Sequence, residues 1–117
     1  MHELSLIRAL LQTVDELRSS HHAHELRRIN VSVGEFSGVD PDLLQSAFGD
    51  STDGTPLEGV EFAIARVPLM ARCRNCHVEF PMHRFRFVCP VCEGTAIVII
   101  RGEELLLESL TFEETAT

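Results

Sequence analysis

The chain has 117 residues, 44% of them hydrophobic and 24% charged, with neither Trp nor Tyr and a formal net charge of −8. That length suits one domain with a small appended module. The acidity argues against binding nucleic acid or anionic lipid through a general positive field. No apolar run approaches the length of a membrane span. The opening apolar stretch, Leu4 to Leu11, is interrupted by Arg8, unlike the unbroken stretch of a secretory signal. The expectation is a cytoplasmic protein whose thiols stay reduced.

In chain order, Leu4, Ile7, Leu11, Val14 and Leu17, widened by Leu10, fall at helical spacing and predict an amphipathic helix over residues 3 to 19. Glu3 sits at its start, where a carboxylate suits the positive end of the dipole. Ile29, Val31 and Val33 alternate with Asn30 and Ser32 and predict a half-buried strand ending near Gly34. Asp40-Pro41 is a helix start, an acidic cap followed by proline at the first helical position, with Val39 placed to staple onto Leu44. That helix carries Leu43, Leu44, Ala47 and Phe48 and should end around Thr52, ahead of the Asp53-Gly54 turn. Val60, Phe62 and Ile64 give a second strand, ended by Pro68. A cysteine region then runs from about residue 68 to residue 95. Residues 96 to 100 read as a short strand, with a turn or bulge at Gly102. A last strand spans 104 to 112, with Leu106, Leu110 and Phe112 on one face and Leu105 and Leu107 on the other. The expected class is α+β: two helices on a three-stranded sheet, with an inserted zinc-ribbon-like four-cysteine module.

Cys73-Arg74-Asn75-Cys76 and Cys89-Pro90-Val91-Cys92 are separated by twelve residues. Each pair can turn two sulfurs toward one point, and the intervening segment is long enough for a hairpin that joins them. Four thiolates at a tetrahedral point suit Zn(II) in a closed, structural site. Iron in the same cage is chemically feasible. Two disulfides run against the compartment, and a redox dithiol needs one exposed cysteine of low pKa rather than two matched pairs. His77 follows Cys76 and, like His83, reads as a solvent-facing or orienting residue. Arg66, Arg72, Arg74, Arg84 and Arg86 surround the first pair, opposed in that stretch only by Glu79. They offset the zinc-tetrathiolate charge or face an acidic partner.

The chain opens Met1-His2-Glu3. A large second residue hinders removal of the initiator methionine, so the Met1 amine, the His2 imidazole and the first amide nitrogens can lie in one plane around a metal. Planar nitrogen ligation suits Ni(II) or Cu(II) rather than zinc. Alone, a His at position two is an ordinary terminal residue. Together, Met1-His2-Glu3-Leu4-Ser5-Leu6, Val33-Gly34-Glu35-Phe36-Ser37-Gly38-Val39, the two cysteine pairs and Glu108-Ser109-Leu110-Thr111-Phe112-Glu113 resemble the HypA/HybF family of hydrogenase-maturation nickel chaperones. The resemblance runs essentially the length of the chain.

It implies a discontinuous nickel-binding domain, residues 1–67 and 102–117, with a zinc-binding domain at 68–101. It implies that His2 ligates nickel with Glu3 beside it as ligand or orienting group, and Met1 is a further donor. It places Asp40 near the site, where helix capping is the simpler role. Zinc falls to Cys73, Cys76, Cys89 and Cys92. Some members carry His after both cysteine pairs, whereas Glu93 follows the second here. The implied partners are the nickel-binding GTPase HypB, the [NiFe]-hydrogenase large-subunit precursor and, in some relatives, urease accessory proteins.

His21, His22 and His24 match no motif of the family and read as a polar loop with adventitious metal affinity. One rival is a zinc-ribbon interaction module contacting protein, or nucleic acid through the arginines with Phe80, Phe85 and Phe87. The other is an enzyme, a thiol oxidoreductase or zinc hydrolase, for which no cysteine-plus-base arrangement stands out.

Overall fold

A computed structural model describes residues 2–20, 24–83 and 86–114. Met1, His21, His22, Arg84 and Phe85 lie outside the described residues, as does the His2 side chain. The elements, in order, are α1 (His2–Arg18), β1 (His24–Gly34), α2 (Pro41–Thr52), β2 (Glu61–Val67), β3 (Met70–Cys73), β4 (Glu79–Pro81), β5 (Ile97–Arg101) and β6 (Leu105–Glu114). The described residues form two helices and two three-stranded sheets, the sheets ordered β2-β1-β6 and β4-β3-β5.

In the first sheet β1 is central, parallel to β2 through the crossover that contains α2 and antiparallel to β6. The helical stripe of α1 is buried at Ile7, Leu10 and Val14, and it packs with Leu44 and Phe48 of α2 over Leu26, Ile29, Val31, Val33 and Phe62. Phe48 and Phe62 stack with centroids 4.3 Å apart. Asp40 caps α2 as its sequence suggests, its carboxylate accepting from the amides of Asp42 at 2.9 Å and Leu43 at 3.3 Å. Val39 packs against the cluster holding Leu44, whereas Leu43 points outward at 55% exposure.

The last strand departs from simple alternation. Val33, Val31 and Ile29 stand opposite Leu105, Leu107 and Leu110, and the register shifts between Asn30 and Val31. The extra residue is Glu108, whose Oε1 accepts from the buried Ser32 hydroxyl at 2.6 Å. A bulge reverses side-chain parity along a strand. Leu105, Leu107, Leu110 and Phe112 therefore all pack on the core, and Leu106, expected to share the face of Leu110 and Phe112, is 46% exposed. Strand β1 also begins earlier than its apolar alternation shows, at His24.

The second sheet surrounds a small core of Leu69, Ala71, Cys73, Phe80, Met82 and Cys89, against which Val78, Ile97 and Ile99 pack. The chain enters this unit after Val67 and leaves it at Gly102. There the backbones touch: a Cβ on Gly34 would overlap the Gly102 carbonyl group, and one on Gly102, whose φ is +101°, would lie 2.6 Å from Leu69 Cα. Only glycine fits both positions. The molecule measures 59 × 32 × 17 Å.

Candidate metal centre

The two cysteine pairs are wrapped by the same hydrogen bonds. The Cys73 amide donates to Val78 O at 3.0 Å and the His77 amide to Cys73 O at 2.9 Å; sixteen residues later, Cys89 donates to Gly94 O at 2.9 Å and Glu93 to Cys89 O at 3.0 Å. The residue after each second cysteine takes the left-handed conformation, His77 at φ 65° and Glu93 at φ 62°, which turns the chain back beneath its sulfurs. A Cβ on Gly94 would lie 2.9 Å from Asn75 Nδ2 and 3.3 Å from Cys92 Sγ, so glycine lets the second knuckle close on the first. The Arg74 amide donates to Ala96 O at 2.8 Å and anchors the first knuckle beside β5.

All four sulfurs lie within 4.8 Å of one another, with Cys73 and Cys92 at 3.5 Å and Cys76 and Cys89 at 3.5 Å. All four cysteines are free; Cys73 and Cys89 are buried, Cys76 and Cys92 exposed. Backbone amides point at the sulfurs: Val91 and Cys92 donate to Cys89 Sγ and Gly94 to Cys92 Sγ, each at 3.4 Å.

The acidities split accordingly. The Cys76 amide, aided by that of Asn75 and by sulfurs of Cys92 and Cys76, outweighs burial and lowers Cys73 to about 6. Cys89 is lowered too: burial opposes this, but the Cys92 and Val91 amides prevail. At Cys92 the Gly94 amide favours the thiolate, yet the Cys73 sulfur, burial and the Cys89 and Cys76 sulfurs overcome it and push the thiol up to about 12. Cys76 is raised against the Val78 amide by burial and the Cys89 and Cys73 sulfurs. In each knuckle one sulfur is thus shifted toward the thiolate and the other toward the thiol.

The donor set fits zinc. Tetrahedral Zn–S bonds of about 2.3 Å put sulfurs about 3.8 Å apart, close to the spacing here, and the amides supply the outer hydrogen bonds such a site uses. Four sulfurs leave no open position, so the cluster fits a structural metal. His77 and His83 are exposed at its edge. Among the described residues Arg72, Arg74 and Arg86 enter no ion pair, whereas Arg66 lies 3.6 Å from Asp42.

At the other end, α1 begins at His2, and the half-buried Glu3 accepts from the Asp40 amide through Oε2 at 3.3 Å. The segment expected near the amino terminus therefore does reach it. Asp40 meets Glu3 through its backbone while its side chain caps α2. Sequence reasoning missed the far end of the same segment. The Glu35 carboxylate accepts from the Leu69 amide at 3.1 Å, and its only sequence signal is its place between Gly34 and the Phe36-Ser37-Gly38 turn.

A family model described as hydrogenase/urease nickel incorporation, metallochaperone, hypA matches residues 1–112. The chain belongs to the HypA family. Hydrogenase maturation factor HypA of Desulfitobacterium hafniense (strain DSM 10664 / DCB-2) is 40% identical over 114 residues, covering 97% of this chain and 100% of that protein. HypA of Lawsonia intracellularis is 37% identical over 118 residues, covering 97% and 100%. Two solved structures share the architecture. The solution structure of the Ni metallochaperone HypA from Helicobacter pylori has a TM-score of 0.62 at 26% identity, covering 92% of this chain and 94% of that one. A second HypA solution structure has a TM-score of 0.71 at 28% identity and covers 94% of each.

Proposed function

We propose that this chain binds Ni(II) at Met1, His2 and Glu3 and passes it into the maturation of [NiFe]-hydrogenase, with zinc held by Cys73, Cys76, Cys89 and Cys92 as a permanent structural ion. In this reading residues 1–67 and 102–117 are the nickel-binding unit and residues 68–101 the zinc-binding unit. What carries it is the bond from the Asp40 amide to Glu3, which tethers the start of α1 in a chain of the HypA metallochaperone family. A carboxylate already holding an amide is placed to orient the terminal nitrogens, with its second oxygen left for the metal or its water.

The Met1 amine, the His2 imidazole and the adjacent amide nitrogen supply the planar donors Ni(II) accepts. Donors at a chain end detach one at a time, so the ion can be handed on stepwise without unfolding the protein. The recipients in this reading are a HypB-type GTPase and the hydrogenase large-subunit precursor, and the family description extends the cargo to urease. No helix among the described residues is long and apolar enough to cross a membrane, and we place the exchange in the cytoplasm. Nickel is cargo, and the chain catalyses no reaction on it.

The test is a nickel titration of the zinc-loaded chain against His2→Ala and against a chain with one residue added before Met1. Loss of a ligand should cost more than the roughly 10- to 100-fold of an outer-sphere partner. An unchanged nickel affinity in both variants, with zinc still bound, removes the terminal site.

A further inference from the structure

Between the amino terminus and the cysteine module lies one short segment, Gly34 to Asp40, that bonds to both. At its first end the Gly34 amide donates to Glu104 O at 2.9 Å, Glu35 to Val67 O at 2.8 Å and Phe36 to Gly102 O at 2.8 Å. These carbonyls belong to the two strands of chain that enter and leave the second sheet. The Glu35 side chain adds a fourth bond, its Oε2 accepting from the amide of Leu69 at 3.1 Å. Leu69 is buried in the core of the cysteine module at 4% exposure, one residue before β3. The segment then turns, with Ser37 N–H donating to Gly34 O at 3.1 Å, the Ser37 hydroxyl accepting from Val39 N–H at 3.2 Å, and Gly38 at φ 78°. It ends on Asp40, whose amide holds Glu3 while its carboxylate locks onto the first turn of α2.

Backbone amides and carbonyls pair wherever two chains run side by side, but the Glu35 carboxylate is different. It is a solvent-exposed side chain spent on a main-chain donor of the other unit. Without it, the Leu69 amide, at the edge of a buried residue and following a proline that has no N–H of its own, loses its acceptor. The three neighbouring bonds and the glycine contacts hold the crossing point. The Glu35 bond adds a side-chain tether at that crossing, on Leu69, the residue with which the module's core begins.

We propose that Glu35 is a positioning residue: by latching Leu69 it fixes the direction of the cysteine module relative to the segment that, at Asp40, places Glu3. The two metal-binding ends are then joined through one piece of backbone anchored at both ends, so a change in the module's direction is felt at the start of α1. The part of this inference that concerns nickel rests on the function proposed above; the part that concerns orientation does not.

The experiment uses the full, zinc-loaded chain as Glu35→Ala, which removes the acceptor, and Glu35→Gln, which keeps an oxygen for the Leu69 amide. Residual dipolar couplings of backbone amides report the relative orientation of the two sheets, the Asp40 amide shift reports the far end, and a Ni(II) titration reports affinity. In the native chain and in Glu35→Gln, one alignment tensor should fit both sheets. In Glu35→Ala two tensors should be needed, the Asp40 resonance should move, and nickel should bind about fivefold more weakly, the equilibrium equivalent of one ordinary hydrogen bond. Zinc content should stay at one ion in all three. A single tensor with an unmoved Asp40 amide in Glu35→Ala overturns the proposal. So does a Glu35→Gln chain that behaves like Glu35→Ala, because the acceptor is then not what matters. If His2→Ala shows that nickel does not use the terminus, the tensor and Asp40 measurements still decide the role of Glu35.

Discussion

The cysteine cluster and the amino-terminal end hold their donors in opposite ways. At the cluster, four sulfurs from two turns of the same hydrogen-bond pattern face one point, backed by amides at 3.4 Å and by a private core of buried side chains. At the terminus, the Glu3 carboxylate is tethered to the Asp40 amide, and the remaining proposed donors belong to the chain end itself. Metal affinity contributes to folding where the ligands are part of a core, and it does not where they hang from a helix start. Under the proposed function, the contrast separates a metal that stays from one that leaves. The cluster and the proposed terminal site both offer donors that many divalent ions accept, so in this reading how the donors are held does much of the sorting.

Replacing a cluster ligand should produce the largest effect. Cys89→Ala removes a buried sulfur and part of the small core, and it should abolish stoichiometric zinc and amide protection in β3, β4 and β5 while α1, α2 and the first sheet persist. Metal analysis with hydrogen exchange reads both, and one tightly held zinc in that variant breaks the comparison. Next in size is Gly102→Ala, which forces a side chain against Leu69 Cα and Pro68 O in a left-handed conformation. It should cost about 2 kcal/mol or more in denaturant stability, and a neutral result would mean the crossing is looser than its contacts.

Acid should then distinguish the sites. Protons compete with nickel for amine and imidazole nitrogen, so affinity falls as pH drops through the histidine range, about 6 to 7, and recovers as pH rises. The cluster lowers Cys73 to about 6 and lowers Cys89 but raises Cys76 and pushes Cys92 up to about 12, so its hold on zinc in acid rests on four sulfurs closing around one point. Dialysis at pH 7.5 and pH 6 should therefore lose nickel first. Loss of zinc first would reverse the assignment of fixed and mobile metal. Smaller still, Asp40→Ala removes the cap of α2 and should cost about 1 kcal/mol, with Asp40→Asn recovering most of it in thermal unfolding. The smallest change is expected from Arg28→Ala, whose partner Glu61 lies 3.2 Å away on the exposed face of the sheet; such pairs contribute under about 1 kcal/mol.

What the sequence reveals follows the range of the physics involved. Helix α1 is legible from Ile7, Leu10 and Val14 because a helical period is local. The start of α2 is legible because a cap and a proline act within one turn. The four cysteines announce their meeting point because two Cys-x-x-Cys pairs at that spacing suit one tetrahedral metal point. The bulge at Glu108 leaves no such mark. It depends on the pairing of two strands more than seventy residues apart, and the alternation of leucines in β6 points to the wrong face. Strands β3 and β4, at four and three residues, are too short for alternation to register, so the second sheet stays hidden inside a region read only for its sulfurs. The bond from Glu35 to Leu69 is a side chain meeting a backbone group, and no residue pattern encodes that.

The outline of the molecule carries a mechanical consequence. Its radius of gyration is 18.1 Å, where a compact chain of this size has about 13 Å, and its two separate cores are joined through a crossing at Gly34, Gly102 and Leu69. Such a body is a lever with a short fulcrum. A rotation at the crossing too small to disturb either core is magnified along the long axis, so a macromolecule that grips the sulfur-bearing tip gains leverage over the opposite end without touching it.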